Sequence, residues 1–444
     1  MICLLKAISM PNASKLDKLS YSFGAVATAL SYQAFSTYII FFYVDILRLK
    51  ASYAALAMLI YGIWNAINDP LAGFISDSTR TKWGRRIPYI FLGSVPFGLA
   101  YFFLWAPPFT SENMSGLFWY FLLMICIFDS LYTVVVLNWA SLFPEMYQSL
   151  KERAQVNSYR QAFGMLGLVI GIALPPVIFS SIGWARMGAI FGAIITIAYL
   201  ISLLGSKEDP KYSRSKPLPI ITAFRATITN IPFIAFVTSN LLIQFAFTMV
   251  LAIIPFYAKY VLETTPAGIS LILLSAFVVA IPMMFIWRPL AARYGARSSY
   301  MAAILLFIVA LAPFLFISSF TAAVIASGLL GIGLAGIILL SDVLISDVID
   351  YDRTKTGVRR EGMYFGVNAF VCRFAISMEA ASIGYVFTTA RYNPIIFTQT
   401  RDFMAGLRVL ISGLPMAALA AAFIIMIFYP LDDARGKPLS KRPG

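Results

Sequence analysis

Histidine is missing from this 444-residue sequence, and cysteine and charged residues are scarce. Without histidine, any group that binds and releases protons near neutral pH has to be a carboxyl. The three cysteines, Cys3, Cys126 and Cys372, lie far apart, so neither a disulfide framework nor a cysteine-ligated metal site is expected. Charged residues make up only 12% of the chain, which is too few for the surface of a soluble protein of this length.

Apolar residues are abundant instead. They make up 60% of the chain, and the mean hydropathy is +0.81, so a multi-pass membrane protein is expected. The net charge of +14 does not indicate a nucleic-acid partner, because Lys and Arg cluster in short loops between apolar runs. No phosphate-binding G-x-x-x-x-G-K-[ST] loop and no catalytic cluster is present, so we expect neither ATP use nor an enzyme, and no cofactor or metal.

Apolar runs of roughly 20 residues predict twelve membrane-spanning helices. They are expected over 20–47, 52–77, 86–106, 117–143, 156–181, 183–204, 231–259, 267–290, 296–316, 320–347, 364–389 and 404–430. The charged segment 205–230 divides them six and six. We therefore predict bundles over 1–204 and 231–430, a cytoplasmic linker over 205–230 and a basic cytoplasmic tail over 431–444. This repeat is typical of a major facilitator fold, here expected as a monomer with its site at the midplane between the halves.

The distribution of positive charge predicts the orientation. The loops after the even-numbered predicted helices are rich in Lys and Arg, as in 80–86 and 207–225, whereas the odd-numbered loops carry few. Positive loops stay on the cytoplasmic side, so both termini are expected in the cytoplasm, with the protein in the cell membrane.

Three segments carry a family resemblance. They are IWNAINDPLAGFISDSTRTKWGRRIPYI (63–90), YTVVVLNWASLFPEM with KERAQVNSYR (132–146 and 151–160), and SDVIDYDRTKTGVRREGMYFGVNAF (346–370). In this order they resemble the glycoside–pentoside–hexuronide:cation symporter family, whose best-known member is the melibiose permease. The resemblance implies two six-helix bundles, alternating access, and symport of a sugar with a cation.

The acids that the resemblance would carry over are mostly replaced. The paired carboxylates of the second helix correspond to Asn65 and Asp69, so one has become an amide. The acid of the first helix corresponds to Ala29 and that of the fourth to Val136. Three of the four hallmark acids are therefore absent, which leaves both the sugar and the coupling ion open.

Other positions match more closely. Thr133 corresponds to a threonine near the cation, Arg160 to a sugar-contacting arginine, and Arg373 replaces a lysine of the eleventh helix. These matches imply that Thr133 lies at the cation site and that the two arginines contact the substrate.

Asp69 is the first candidate for the ion site, because ionisable groups inside a membrane span usually mark a transport pathway. Asn65 and Asp69 stand at i and i+4 and face the same way. With the Thr133 hydroxyl they can offer oxygen ligands to Na+, or Asp69 alone can take up a proton. Asp129 shares a face with Thr133 and is a second ligand or a gate. The alternatives are a hydrogen bond that holds two helices together and an interfacial acid at Asp129.

Arg160 and Arg373 predict a positive cavity, because Ala29 and Val136 supply no acid. That favours a solute with a carboxylate, sulfonate or phosphate, although arginines also suit a neutral sugar. Alternatively, Arg160 neutralises Asp69 or Asp129, and Arg373 neutralises Asp342 or Glu379. Further candidate contacts, each equally explained by helix packing, are Trp139, Gln33, Ser36, Asn240 and Gln244.

Two charged loops predict a gate, since an acid–base network there can latch the two halves. Its candidate residues are Asp77, Arg80, Arg85 and Arg86 after the second helix, and Asp347, Asp350, Arg359 and Arg360 around the tenth. The alternative is that these charges only fix the topology.

The sequence thus predicts a cation-coupled transporter, with Na+ or H+, of a sugar-like solute such as a glycoside or an anionic uronide. A lysolipid or amphiphile carrier of the same fold is the rival, since Ala29 and Val136 also suit an apolar cavity. A sensor or scaffold that does not transport is a third possibility.

Overall fold

The structure is a computed structural model that describes residues 14–79, 81, 83–147, 149–208, 230–356, 361–396 and 398–431. The chain divides into two units, Met1–Pro217 and Leu218–Gly444. The boundary lies inside the predicted linker, most of which, like the tail from 432, falls outside the described residues. The predicted linker and tail therefore stay predictions.

The described residues of the N-terminal unit form seven α-helices. They are α1 (Lys15–Ile40), α2 (Ala51–Ser78), α3 (Ile87–Leu104), α4 (Met114–Met146), α5 (Leu150–Ala173), α6 (Pro175–Ile182) and α7 (Trp184–Leu204), with a π-helical turn, Phe41–Ile46, that continues α1. α5 and α6 form one predicted span that bends by 45°, and the bend falls at Pro175 and Pro176.

The described residues of the C-terminal unit form another seven α-helices. They are α8 (Ile231–Tyr260), α9 (Pro266–Tyr294), α10 (Ala296–Leu311), α11 (Phe320–Thr356), α12 (Glu361–Thr389), α13 (Arg401–Arg408) and α14 (Leu414–Ile427). A π-helical turn, Val409–Gly413, joins α13 to α14, so these two make one span. All twelve predicted helices are therefore present.

Local sequence explains where α1 begins and how closely it packs. Ser14 and Asp17 form a capping box, in which each side chain accepts a hydrogen bond from the backbone N–H of the other, at 3.0 and 3.2 Å. Along α5, Gly167 and Gly171 lie against the α1 backbone at Val26 and Leu30, where an added Cβ would clash. Small residues let two membrane helices approach closely, and this approach fixes the position of α5 beside α1.

Among the described residues, ten helices are long and apolar enough to cross a membrane on their own, and the bent α5–α6 pair raises that number to eleven. The remaining helix, α2, is 28 residues long but is not among them. Its polar residues, Asn65, Asn68 and Asp69, lower its hydropathy. The polar content that singles out α2 also makes it a candidate for function.

Candidate ion and substrate sites

A buried polar cluster lies between α2 and α4. On α2, Tyr61, Asn65 and Asn68 follow one another at spacings of four and three residues and so share a face. On α4, Asp129 and Thr133 are four residues apart and face α2. Because most other positions of both helices are apolar, these side chains have one another as partners rather than water.

Asp129 accepts hydrogen bonds from three side chains of α2 and is only 2% exposed. Asn65 Nδ2 donates to Oδ1 at 2.5 Å, and Asn68 Nδ2 donates to Oδ2 at 3.1 Å. The Tyr61 hydroxyl donates to Oδ1 at 3.4 Å. Both carboxylate oxygens thus accept hydrogen bonds from neutral donors, as buried polar groups require.

Asp69 lies one helical turn beyond Asn65 and is half-buried. The Thr133 hydroxyl donates to Asp69 Oδ1 at 2.8 Å. The four predicted ion-site residues therefore come together as two adjoining pairs, Asn65 with Asp129 and Asp69 with Thr133. The cluster holds two carboxylates, and a 180° rotation of either amide side chain replaces its donor with an oxygen ligand.

Sequence reasoning missed two members of this cluster, Tyr61 and Asn68. The signal for Asn68 was present, since an asparagine three residues after Asn65 on an apolar helix has to find a partner. Tyr61 carried no such signal, because tyrosine is common in membrane helices for other reasons.

Arg160 on α5 lies against two aromatic rings of α4. Its Cζ is 4.7 Å from the ring centroids of both Trp139 and Phe143. Its Nε is buried and has no hydrogen-bond partner within the described part of the chain. Such cation–π contacts hold a guanidinium in place without neutralising its charge.

The alternative in which arginines neutralise nearby acids is not seen as an ion pair among the described residues. Among the described residues Arg160 forms no ion pair with Asp69 or Asp129, and Arg373 forms none with Asp342 or Glu379. Arg373 is half-buried on α12.

Trp139 is 2% exposed and is fixed by contacts within the N-terminal unit. Its ring stacks on Tyr21 at 5.3 Å between centroids, and its Nε1 donates to the Tyr21 carbonyl oxygen at 3.1 Å. With Tyr21 and Arg160 against its ring, Trp139 supports the arginine, and its own contact with a solute stays a prediction.

The other predicted substrate residues lie in two places. In α1, Gln33 is half-buried, and the Ser36 hydroxyl donates to the Gln33 carbonyl oxygen at 3.2 Å. In α8, Gln244 is half-buried, while Asn240 Nδ2 donates to Asn368 Oδ1 of α12 at 2.9 Å and to Cys372 Sγ at 3.2 Å. Asn240 is thereby brought to within one helical turn, along α12, of Arg373. Asn368 was not among the sequence candidates.

The loop between α2 and α3 carries an ion-pair network. Glu145 Oε1 of α4 lies 2.6 Å from Arg85 Nη2 and 3.0 Å from Arg86 Nε. Glu208, after α7, accepts hydrogen bonds from the backbone N–H groups of Arg85, Arg86 and Ile87 at 2.8, 3.0 and 3.4 Å. This carboxylate caps the start of α3, where the helix dipole favours negative charge.

The remaining gate candidates are less informative. Asp347 is half-buried and Asp350 is exposed, both on α11. The side chain of Asp77 and all of Arg80, Arg359 and Arg360 lie outside the described residues. Sequence reasoning named the basic members of the network but missed their acidic partners, Glu145 and Glu208, which come from distant segments.

Comparison with known proteins decides the family. The family described as MFS/sugar transport protein matches residues 20–433, nearly the whole chain. The chain belongs to this family. Its members are the glycoside–pentoside–hexuronide:cation symporters of the major facilitator superfamily, so the resemblance inferred from the sequence is confirmed.

Two relatives align with this symporter over most of its length. It is 26% identical to the isoprimeverose transporter of Lactiplantibacillus pentosus, over 96% of this chain and 90% of the relative. It is 28% identical to a putative sulfoquinovose importer of Escherichia coli, over 94% of this chain and 91% of the relative. Family membership makes this symporter a multi-pass membrane transporter of a small molecule and not an enzyme.

A solved structure confirms the fold. The symporter superimposes on a D-xylose-proton symporter with a TM-score of 0.68 at 12% identity, over 95% of this chain and 99% of that one. The predicted major facilitator fold is therefore correct.

Proposed function

We propose that this symporter moves a sugar that carries a negative charge, such as a uronide or a sulfonated sugar, together with a cation. The observation that carries this proposal is Arg160. Its guanidinium is held between Trp139 and Phe143, and it has no acidic partner among the described residues. An arginine kept charged in this way is suited to bind a carboxylate or sulfonate through its fork of N–H donors.

The relatives support a sugar as the solute. One is named for isoprimeverose and another for sulfoquinovose, which is a sulfonated sugar. An anionic sugar also fits Ala29 and Val136, which add no negative charge to repel it.

The coupling ion, Na+ or H+, binds at the α2–α4 cluster in this proposal. Asp69 supplies the charge, and the Thr133 hydroxyl and the amide oxygen of Asn65 supply neutral ligands. Asp129, whose two oxygens are already hydrogen-bonded, holds Asn65 and Asn68 in place and contributes a second negative charge. A hard monovalent cation prefers such oxygen ligands.

Transport follows the alternating-access cycle of the family, with both termini in the cytoplasm as the basic loops predict. Arg85 and Arg86, paired with Glu145, act as the gate of the N-terminal unit. Breaking and re-forming that network changes the stability of one state relative to the other.

The test is uptake competition in proteoliposomes that contain the purified symporter. We expect a uronide or a sulfonated sugar to compete better than the matching neutral glycoside, and we expect the Arg160→Gln variant to lose that preference. Equal competition by charged and neutral sugars would refute the anionic substrate. Competition by lysophospholipids but by no sugar would support the rival lipid carrier.

A further inference from the structure

One almost fully buried acid of the C-terminal unit plays no part in the proposed function. Glu379 lies in the middle of α12 and is 1% exposed. The Thr248 hydroxyl of α8 lies close to its carboxyl group but donates to the Phe245 carbonyl oxygen at 3.3 Å, and Oε2 has no hydrogen-bond partner among the described residues. A carboxylate oxygen buried without a donor is rare in native proteins and calls for an explanation.

Among the residues that the structure describes, no Lys or Arg forms an ion pair with Glu379. On α12 itself, Arg373 lies six residues away and about a third of a turn round the helix. On α8, the titratable groups Tyr257, Lys259 and Tyr260 are at least nine residues, about 14 Å, beyond Thr248. Within the described residues none of these groups pairs with Glu379.

The other elements that pack against α12 also carry charged residues. These are Asp342, Asp347, Asp350, Tyr351, Asp352, Arg353 and Lys355 on α11, and Arg401, Asp402 and Arg408 on α13. Arg408 donates instead to the Leu315 carbonyl oxygen and to the Ser318 hydroxyl, both at 2.9 Å. Where the structure describes the chain, none of them forms an ion pair with Glu379.

A row of polar side chains leads along the α8–α12 seam to Glu379. On α12, Asn368, Cys372 and Glu379 share one face, since their spacings of four and seven residues are close to whole helical turns. Asn240 of α8 donates hydrogen bonds to the first two, and Thr248 lies close to Glu379. The seam therefore joins Glu379 to the stretch of α12 that carries Arg373.

We propose that Glu379 is a proton-binding site of the C-terminal unit, which takes up a proton on Oε2 in one state of the cycle and releases it to water in another. An ionised carboxylate here leaves a buried oxygen unpaired and its charge uncompensated, and both disfavour the anion. Binding H+ converts the anion to a neutral carboxyl, with one O–H bond formed and no electron transferred. The idea that the proton turns over during transport rests on the proposed function, whereas proton binding itself does not.

The alternative is a neutral acid that never titrates and serves only packing. The Glu379→Gln variant separates the two, because glutamine reproduces the shape of the protonated acid but cannot release a proton. A permanently protonated acid predicts a variant that behaves like the wild type.

The experiment is infrared difference spectroscopy of the purified protein between alkaline and acid pH. We expect a C=O stretching band of a protonated carboxyl that appears on acidification. The band should be lost in Glu379→Gln and kept in the matched control Asp402→Asn, which changes an exposed acid of the same unit. A band unchanged in Glu379→Gln overturns the proposal. If that variant does not fold, Glu379→Asp should shift the band, and an unshifted band likewise overturns it.

Proteoliposomes then test the turnover. Glu379→Gln should lose the pH dependence of solute accumulation while it retains solute exchange at equal concentrations on both sides. Wild-type pH dependence in this variant overturns the role in transport. Failure of the proposed function itself gives a different result, since the wild type then transports no sugar while the infrared band still responds to Glu379→Gln.

Discussion

Two acids of this symporter are equally buried and yet differ in their surroundings. Asp129 in the N-terminal unit is 2% exposed and receives hydrogen bonds from Tyr61, Asn65 and Asn68. Glu379 in the C-terminal unit is 1% exposed, lies close to the Thr248 hydroxyl, and has an Oε2 without a hydrogen-bond partner among the described residues. Burial alone therefore does not decide what an acid can do, because the donors around it decide whether its oxygens are satisfied without a proton.

The comparison assigns the two units different tasks. The α2–α4 cluster offers two carboxylates and neutral oxygen ligands, which suits a coupling cation. The α8–α12 seam offers a single carboxyl without counter-charge, which suits a proton. Each of the following predictions changes one side of this contrast.

The largest effect is expected for Asp69→Asn, which removes the charge proposed to bind the coupling ion. We expect loss of solute accumulation driven by an ion gradient, while exchange of solute across the membrane continues. In proteoliposomes, uptake of radiolabelled solute measures the accumulation, and counterflow measures the exchange. Asp402→Asn is the control. Normal accumulation by Asp69→Asn would refute the role of Asp69 in binding the coupling ion.

Arg160→Gln is expected to weaken binding of an anionic sugar by about tenfold to a hundredfold, because a hydrogen bond to a charged group contributes ~1.5–3 kcal/mol. Arg160→Lys keeps the charge but loses the planar fork of N–H donors. Its affinity for the anionic sugar should therefore lie between those of the wild type and Arg160→Gln. Calorimetric titration checks this. An equal loss of affinity for a neutral glycoside would mean that Arg160 acts through packing.

Asn68→Ala should destabilise the fold more than Thr248→Val. The first change removes a donor from Asp129 and costs about 1–3 kcal/mol, whereas the second removes a hydroxyl from an acid that binds a proton and costs about 0.5–1.5 kcal/mol. Thermal unfolding in detergent, read as a difference in Tm, compares them. The reverse order would contradict the contrast between the two acids.

The smallest effect is expected for Glu208→Gln, which keeps a side-chain oxygen at the start of α3 but removes its charge. Without the interaction between this charge and the helix dipole, the free energy of unfolding should decrease by about 0.3–1 kcal/mol, so Tm should fall slightly. High salt screens the interaction, so the decrease in Tm should be smaller there. Exposed Glu263 outside the network, changed to Gln, provides the control. A drop in Tm as large as that of Asn68→Ala would show a wider role for Glu208.

Much of the fold could be predicted from the sequence, because a span needs a fixed length of apolar residues and the charged segment near the middle separates the halves. The meeting of Asn65, Asp69, Asp129 and Thr133 could be predicted in outline from helical spacing. Which of these residues pair with each other could not be predicted, because the rotation of α2 relative to α4 decides that Asn65 contacts Asp129 and Asp69 contacts Thr133.

Partners that come from distant segments were missed. Two acids contact the segment of Arg85 and Arg86 from far along the chain: Glu145 is about 60 residues away and Glu208 about 120. A local sequence pattern does not predict such contacts. The alternative that pairs Arg373 with Asp342 or Glu379 is not seen as an ion pair among the described residues, and complementary charge alone does not predict which side chains meet.

The most direct test of the account is the affinity of the purified symporter for an anionic sugar as the concentration of Na+ and the pH are varied. Ion and solute that bind to one transporter in coupled fashion must raise each other's affinity by the same factor. We predict that the wild-type affinity rises with the coupling cation and that Asp69→Asn abolishes the rise. An identical dependence in wild type and Asp69→Asn would contradict the placement of the coupling site at the α2–α4 cluster.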